Sequence, residues 1–374
     1  MTPPSTQTST LQASTFQTPS PNGGAPPPGD AKADMVADMA SFARQVARHC
    51  TAYRDAVPAR AFLQLANTLP PYLALCALMV WGFAAGHGAL VLPLALPAGG
   101  LLVRLFIIQH DCGHGSFFPS RAANDRLGRA LSLLTVTPYD TWKRAHALHH
   151  SSTGDLSRRG VGDIDTLTVR EYLALTRWGR LRYRLYRNPI VLIVLGSPLN
   201  FLLLQRLPFG GGLPWRASWR DVIALDVALA ILVGALAWFV GGVGPVLGAL
   251  APPICIAAWI GGWLFYVQHQ YEGTIWDEGE AWDFHRAALG GSSYYVLPRA
   301  LQWITGNVGL HHIHHLNSRI PNYRLQECLD GHEALGRVGR LTLRDSLGCV
   351  RLALWDEDAR KLVGFSHLRT LRGA

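Results

Sequence analysis

ALVLPLALPAGGLLVRLFIIQHDCGH, residues 89–114, is an apolar run that ends in two histidines four positions apart. Residues 89–109 carry a single charge, Arg104. At about 1.5 Å per helical residue, such a run crosses a hydrocarbon core of about 30 Å. Three comparable runs lie at 65–85, 222–240 and 246–267, and only the short turns 86–88 and 241–245 separate the members of each pair. With 49% hydrophobic and 16% charged residues, the chain reads as an all-α integral membrane protein of four transmembrane helices in two hairpins. A shorter stretch, 189–204, is interrupted by Gly196, Ser197 and Pro198, so it is expected to lie at the interface or to re-enter.

The basic residues orient the hairpins. Both short turns lack Lys and Arg, whereas residues 139–188 hold ten of them. By the positive-inside rule the long loops and both termini are cytoplasmic, most simply at a bacterial inner membrane. Arg104 and Asp226 lie inside apolar runs close to their cytoplasmic ends, where snorkelling is expected. The net charge of +9 suits an anionic lipid surface. It is dispersed over the loops without a recognition motif, which argues against a nucleic-acid partner. Residues 1–35, rich in Thr, Ser, Pro, Gln and Gly, read as a disordered cytoplasmic tail. An amphipathic segment follows at 36–64, then a membrane domain at 65–328 and a cytoplasmic C-terminal segment at 329–374. The six cysteines form no CxxC pair and read as reduced thiols.

Nine of the 15 histidines fall in three clusters, HDCGH (110–114), HALHH (146–150) and HHIHH (311–315). On a helix these spacings put imidazoles on one face, as a metal site requires. The hairpin order brings all three clusters to one side of the membrane, and His269 closes the fourth run there. Imidazole alone leaves iron, zinc, copper and nickel open. Eight imidazoles at matching spacings exceed one tetrahedral zinc and suit two metals. Asp111, Asp155, Asp163, Asp165, Glu272 and Asp283 are the acids near enough in sequence to orient imidazole N–H groups, Asp111 foremost. A metal transporter would instead place its ligands near the bilayer middle along a path.

The ordered HxxxH, HxxHH and HxxHH boxes resemble those of the membrane fatty acid desaturase superfamily. HDCGHGSFF, HALHHSSTGDLSRRGVGDIDTLTVREY, FYVQHQYEGTIW and NVGLHHIHHLNSRIPNYRL are similar to bacterial and cyanobacterial acyl-lipid desaturases of the Δ12 type. The resemblance implies a cytoplasmic helical cap carrying a di-iron centre. That centre would use O₂ and two electrons to place a cis double bond in a lipid-linked fatty acyl chain. By position, His110, His114, His146, His149, His150, His311, His314 and His315 are the implied iron ligands, with His269 as a ninth. His312 points off the shared face, and His285 reads as a loop residue. Some relatives carry a water-bonded asparagine where Phe265 stands here; Asn307, four residues before His311, is expected to reach the site instead. The same centre could yield a hydroxylase or ketolase acting on an alkyl chain or carotenoid. A methylene chain offers no polar handle, so an apolar tunnel is expected, walled by some of Trp142, Trp259, Trp263, Trp276, Trp282 and Trp303, with Trp142, Trp263 and Trp303 foremost. The chain has no HPGG-type haem motif, ferredoxin cysteine spacing or Rossmann fingerprint. A separate electron donor, a ferredoxin or a cytochrome, follows.

Overall fold

The computed structural model describes residues 28–160, 162–208 and 213–370. The chain divides into two compact units at Met39 and Ala40. Of the first, the described part is the start of helix Pro28–Cys50, so residues 28–35 are helical where a tail was expected. The rest of that tail lies outside the described residues. The second unit carries the spans and the histidines.

Four helical segments are long and apolar enough to cross a membrane: Pro58–Ala84, Gly88–His114, Trp215–Val240 and Val243–His269. Each extends beyond its apolar run by several residues. Hydropathy marks only the part in hydrocarbon, whereas the backbone ladder continues wherever nothing breaks it. These extra turns carry His110, His114 and His269. The first segment is two helices, Pro58–Ala66 and Leu69–Ala84, broken at Asn67 and Thr68. The second is central: 61% of its apolar window is buried, against 11% for the third. Gly99 permits its approach to the fourth, since a Cβ there would lie 2.6 Å from Ile256.

Of the two charges inside the runs, Arg104 turns inward instead of snorkelling. Arg104 is buried; its Nε donates to Thr68 Oγ1 at 3.1 Å, another guanidinium nitrogen donates to the Trp303 carbonyl, and the plane covers the Trp303 ring at 4.2 Å. The Thr68 hydroxyl at the break in the first span and the Trp303 carbonyl near the end of helix Arg299–Ile304 thus share the guanidinium. Asp226 pairs with Arg206 at 3.1 Å, and Arg206 also donates to the carbonyls of Phe201 and Val136. The Asp226 side chain stays partly exposed in this pair, unlike the buried Arg104.

Arg206 ends the interrupted apolar stretch. Helix Arg177–Tyr186 and segment Ile190–Arg206 meet at a 60° bend. Trp259 Nε1 donates to the Val194 carbonyl at 2.8 Å, and Ser197 packs against Gly262, where an added Cβ would lie 2.0 Å from Ser197 Oγ.

Beside the spans sits a cap. Helix Arg121–Thr135 starts on Ser120, whose hydroxyl accepts from Ala123 N, a cap worth about 1 kcal/mol. Gln109, the last residue before the first box, is buried yet satisfied: it donates to Gly128 O and Ser132 Oγ and accepts from the Thr135 hydroxyl at 2.6 Å. These bonds fix the rotation of the second span where its histidines begin. Helix Tyr139–Ser152 follows and carries the second box. The C-terminal segment folds back over the cap. Arg340–Thr342 pairs in parallel with Tyr294–Val296, and Leu354–Asp356 pairs with Leu167–Thr168 and Lys361–Val363. These short strands add to an otherwise helical fold.

Gly262→Val should be felt at the Ser197 contact. Overpacking of this kind costs about 1–3 kcal/mol, so the detergent-solubilised protein should melt several degrees lower, whereas Gly261→Val, with open space around that position, should melt like the parent.

Candidate metal centre

The second span ends at Gly115, whose left-handed φ of 67° lets its N–H cap the carbonyls of Asp111 and Cys112. The glycine stops the helix one residue after His114, which leaves His110 and His114 on its last turns. Helix Tyr139–Ser152 presents His146, His149 and His150. The fourth span ends at His269. The short helix His311–Leu316 supplies the third box; two left-handed residues before it, Gly306 at φ 53° and Asn307 at φ 57°, turn the chain into place.

These elements form two groups of imidazoles. His110, His114, His146, His150 and His314 make one; His149, His269, His311 and His315 make the other. Within each group the ligand atoms lie within 4.8 Å of one another. Two boxes are split. His146 and His150 serve one group and His149 the other; His311 and His315 serve one and His314 the other. A helix turns about 100° per residue, so on the shared face i+4 lies about 40° to one flank of i and i+3 about 60° to the opposite flank. Each HxxHH box thereby bridges both groups.

Ring nitrogens meet at close range. The Nε2 atoms of His114 and His146, and of His146 and His150, are 3.1 Å apart; those of His150 and His314 are 3.2 Å apart. In the other group His311 Nε2 lies 3.1 Å from Nε2 of both His269 and His315. Two nitrogens bound to one metal at about 2.0–2.1 Å have this separation. His149 Nε2 is buried with no hydrogen-bond partner among the described residues, as an atom reserved for a metal would be. Burial first, then neighbouring imidazoles, hold His146, His150, His311, His314 and His315 well below the usual histidine pKa. They are therefore neutral and able to ligate. Five nitrogens in one group exceed the four of a tetrahedral zinc.

Around the groups lie groups that hold the rings. His110 Nδ1 donates to Asp111 Oδ1 at 3.2 Å. Asp111 Oδ2 accepts from both the backbone N and the side-chain amide of Asn322, at 2.6 and 2.8 Å. Asn307 does not extend the helical face of His311, which begins only after it. Its left-handed backbone turns its amide to the Asn322 carbonyl at 3.0 Å, so its link to the centre runs through Asn322 and Asp111. His149 Nδ1 donates to Asp163 Oδ1 at 2.5 Å, and His269 Nδ1 to the Gly291 carbonyl. Phe265 packs its ring 5.3 Å from both His149 and His269. His312 lies outside both groups, bonded to the Leu335 carbonyl and stacked on Tyr294; His285 is also outside them.

The six tryptophans do not share one wall. Trp142 stacks on His146 at 4.7 Å and meets Phe106 edge-on at 5.3 Å. Phe106 in turn stands perpendicular to Phe201 of the bent segment. Trp263 bonds Tyr295 and packs with Phe106 on Val103 and Ile107. Trp303 is committed to Arg104, Trp259 to Val194 and Trp282 to the Thr153 carbonyl. Trp276 packs with Trp355 and Leu362. Sequence reasoning missed Asn322, Phe106 and Phe201, none of which carries a spacing signal relative to the boxes.

A model of the fatty acid desaturase family matches residues 85–344. A fatty acid desaturase of Bacillus subtilis is 38% identical over 326 residues, 87% of this chain and 92% of its own. An sn-1 acyl-lipid omega-3 desaturase (ferredoxin) of Synechocystis is 26% identical over 62% of this chain and 64% of its own length. An sn-1 oleoyl-lipid 12-desaturase of Anabaena variabilis is 26% identical over 63% and 67%. Because the matched region contains every histidine of the two groups, the chain belongs to the fatty acid desaturase family of oxidoreductases.

Proposed function

We propose that this chain is a Δ12-type acyl-lipid desaturase that holds two iron ions, one in each imidazole group, and consumes O₂. The split of nine imidazoles into converging sets of five and four carries this reading. Bound in the reduced state, the iron pair would supply the O₂ activation needed to take two hydrogens from an unactivated acyl chain. The overall reaction balances as acyl –CH₂–CH₂– plus O₂, two electrons and two protons, giving –CH=CH– and two waters.

The protein's own part is to bind and position. Val103, Phe106 and Ile107 of the second span, Ile260 and Trp263 of the fourth, and Leu192 and Ile193 of the bent segment form one apolar cluster. Phe106 contacts Trp142, and Trp142 stacks on His146, so this cluster abuts the five-histidine group. An acyl chain laid there would reach the metals without crossing polar surface, at a register set by these side chains. The Lys and Arg of residues 139–188 support a cytoplasmic setting for the boxes, the loops and both termini, at a bacterial inner membrane in this reading. Electrons come from a separate donor, a ferredoxin or a cytochrome; the exposed Arg177 and Arg182 suit an acidic partner.

Expression in a bacterium that makes only simple unsaturated fatty acids, followed by gas chromatography and mass spectrometry of its lipids, tests the reading. A diene with its new bond at the Δ12 position should form with the parent chain and vanish with His149→Ala. A hydroxylated product would move the chain to the hydroxylases. Phe106→Ala and Phe201→Ala should each change chain-length or bond-position preference while iron content stays at the parent level; unchanged product profiles in both would remove the apolar cluster as the acyl site. Donor-dependent turnover should fall as salt shortens the Debye length below about 10 Å, and salt-independent turnover with a saturable donor would exclude electrostatic docking.

A further inference from the structure

Each imidazole group contains one ring backed by a carboxylate, yet the two carboxylates differ. Asp111, behind His110, shares its charge: Oδ2 takes two N–H groups of Asn322, which is itself held by Gln64 and Asn307. Asp163, behind His149, does not. Its Oδ1 lies 2.5 Å from His149 Nδ1, and Oδ2 is buried with no hydrogen-bond partner among the described residues. The two side chains are 9% and 1% exposed. Gly162, at φ 74°, turns the chain beneath the ring; an added Cβ would come 3.3 Å from His149 Cβ and 3.4 Å from the Ala145 carbonyl. Among the described residues, no other ring of the four-histidine group has an anion behind it. His269 meets a neutral carbonyl, and Nδ1 of His311 and His315 has no partner among the described residues.

A carboxylate on the Nδ1–H of a ligating imidazole fixes its tautomer and makes the opposite nitrogen a stronger donor. The effect is largest when the carboxylate has no other donor to satisfy and lies away from water. We infer that Asp163 is the positioning residue of the four-histidine site: it compensates that site for its fifth missing imidazole and sets its metal electronically apart from the other. This rests on the two-iron reading above and assigns the inequivalence of the two irons to one loop residue.

Reconstitution of the full chain with ferrous ion, followed by metal counting and Mössbauer spectroscopy, tests it without recourse to activity. The parent should bind two irons per chain and show two quadrupole doublets. Asp163→Asn should weaken one of the two irons by about 10–100-fold and move a single doublet; Asp111→Asn should move the other. Asp163→Glu, which keeps the charge, should restore tight binding, and it reads the same doublet if the Asn variant fails to fold. Parent-like affinity and spectra in Asp163→Asn, or equal movement of both doublets, overturn the inference. A parent chain that binds fewer than two irons overturns the two-iron reading, and the inference with it.

Discussion

Nine imidazole lone pairs converging on two points, among buried side chains, are the constraint on which the rest of the structure turns. Nitrogen lone pairs about 3 Å apart repel one another and have lost water, so the arrangement is unfavourable until a cation sits between them. The fold must therefore hold the rings against their own preference. It does so with helix ends, whose positions are fixed by caps and packing, and with hydrogen bonds to the outward ring nitrogens.

The spans are the rigid part of that frame. Gln109 and its partners on helix Arg121–Thr135 lock the rotation of the second span just where His110 begins. Arg104 ties the same span to the break in the first and to the end of helix Arg299–Ile304, a few residues before the third box. Arg187 does similar work on the other side: buried, it bonds Gln270, next to His269, and the Leu352 carbonyl of the C-terminal segment. A residue that contributes to the basic character of the loop thus serves as an internal tie. The elements bearing the boxes come from distant parts of the chain, and these ties set their mutual register.

The membrane interface has a chemical consequence for such a site. His110, His114 and His269 occupy helical turns that continue out of the apolar runs, and the other six imidazoles ride on helices outside those runs, where polar backbone groups such as the Gly291 carbonyl, which takes the His269 Nδ1–H, are within reach. The apolar cluster on Val103, Ile107 and Trp263 begins where those turns end. Imidazole groups and an apolar cluster adjoin because the same helix contributes to both.

Much of this was legible in the amino-acid order. Apolar runs longer than a bilayer is thick have few alternatives to spanning helices, and i, i+4 histidines at their ends advertise a metal site, because both signals are local and helix geometry is invariant. The allotment of histidines to two groups was not legible. The i, i+3, i+4 spacing separates the members of each HxxHH box, but which part of one box meets which part of the other depends on how the helices that carry them pack. Arg104 was misread for the same reason: whether a charge reaches for solvent or finds a partner is decided by Thr68 and Trp303, distant in the chain and adjacent only once it folds. Asp163 and Asn322 acquire their places behind the imidazoles in the same way. Local periodicity determines which helices form and on which turns the histidines ride; only the packing of those helices decides which nitrogens share a metal and which carboxylate stands behind them.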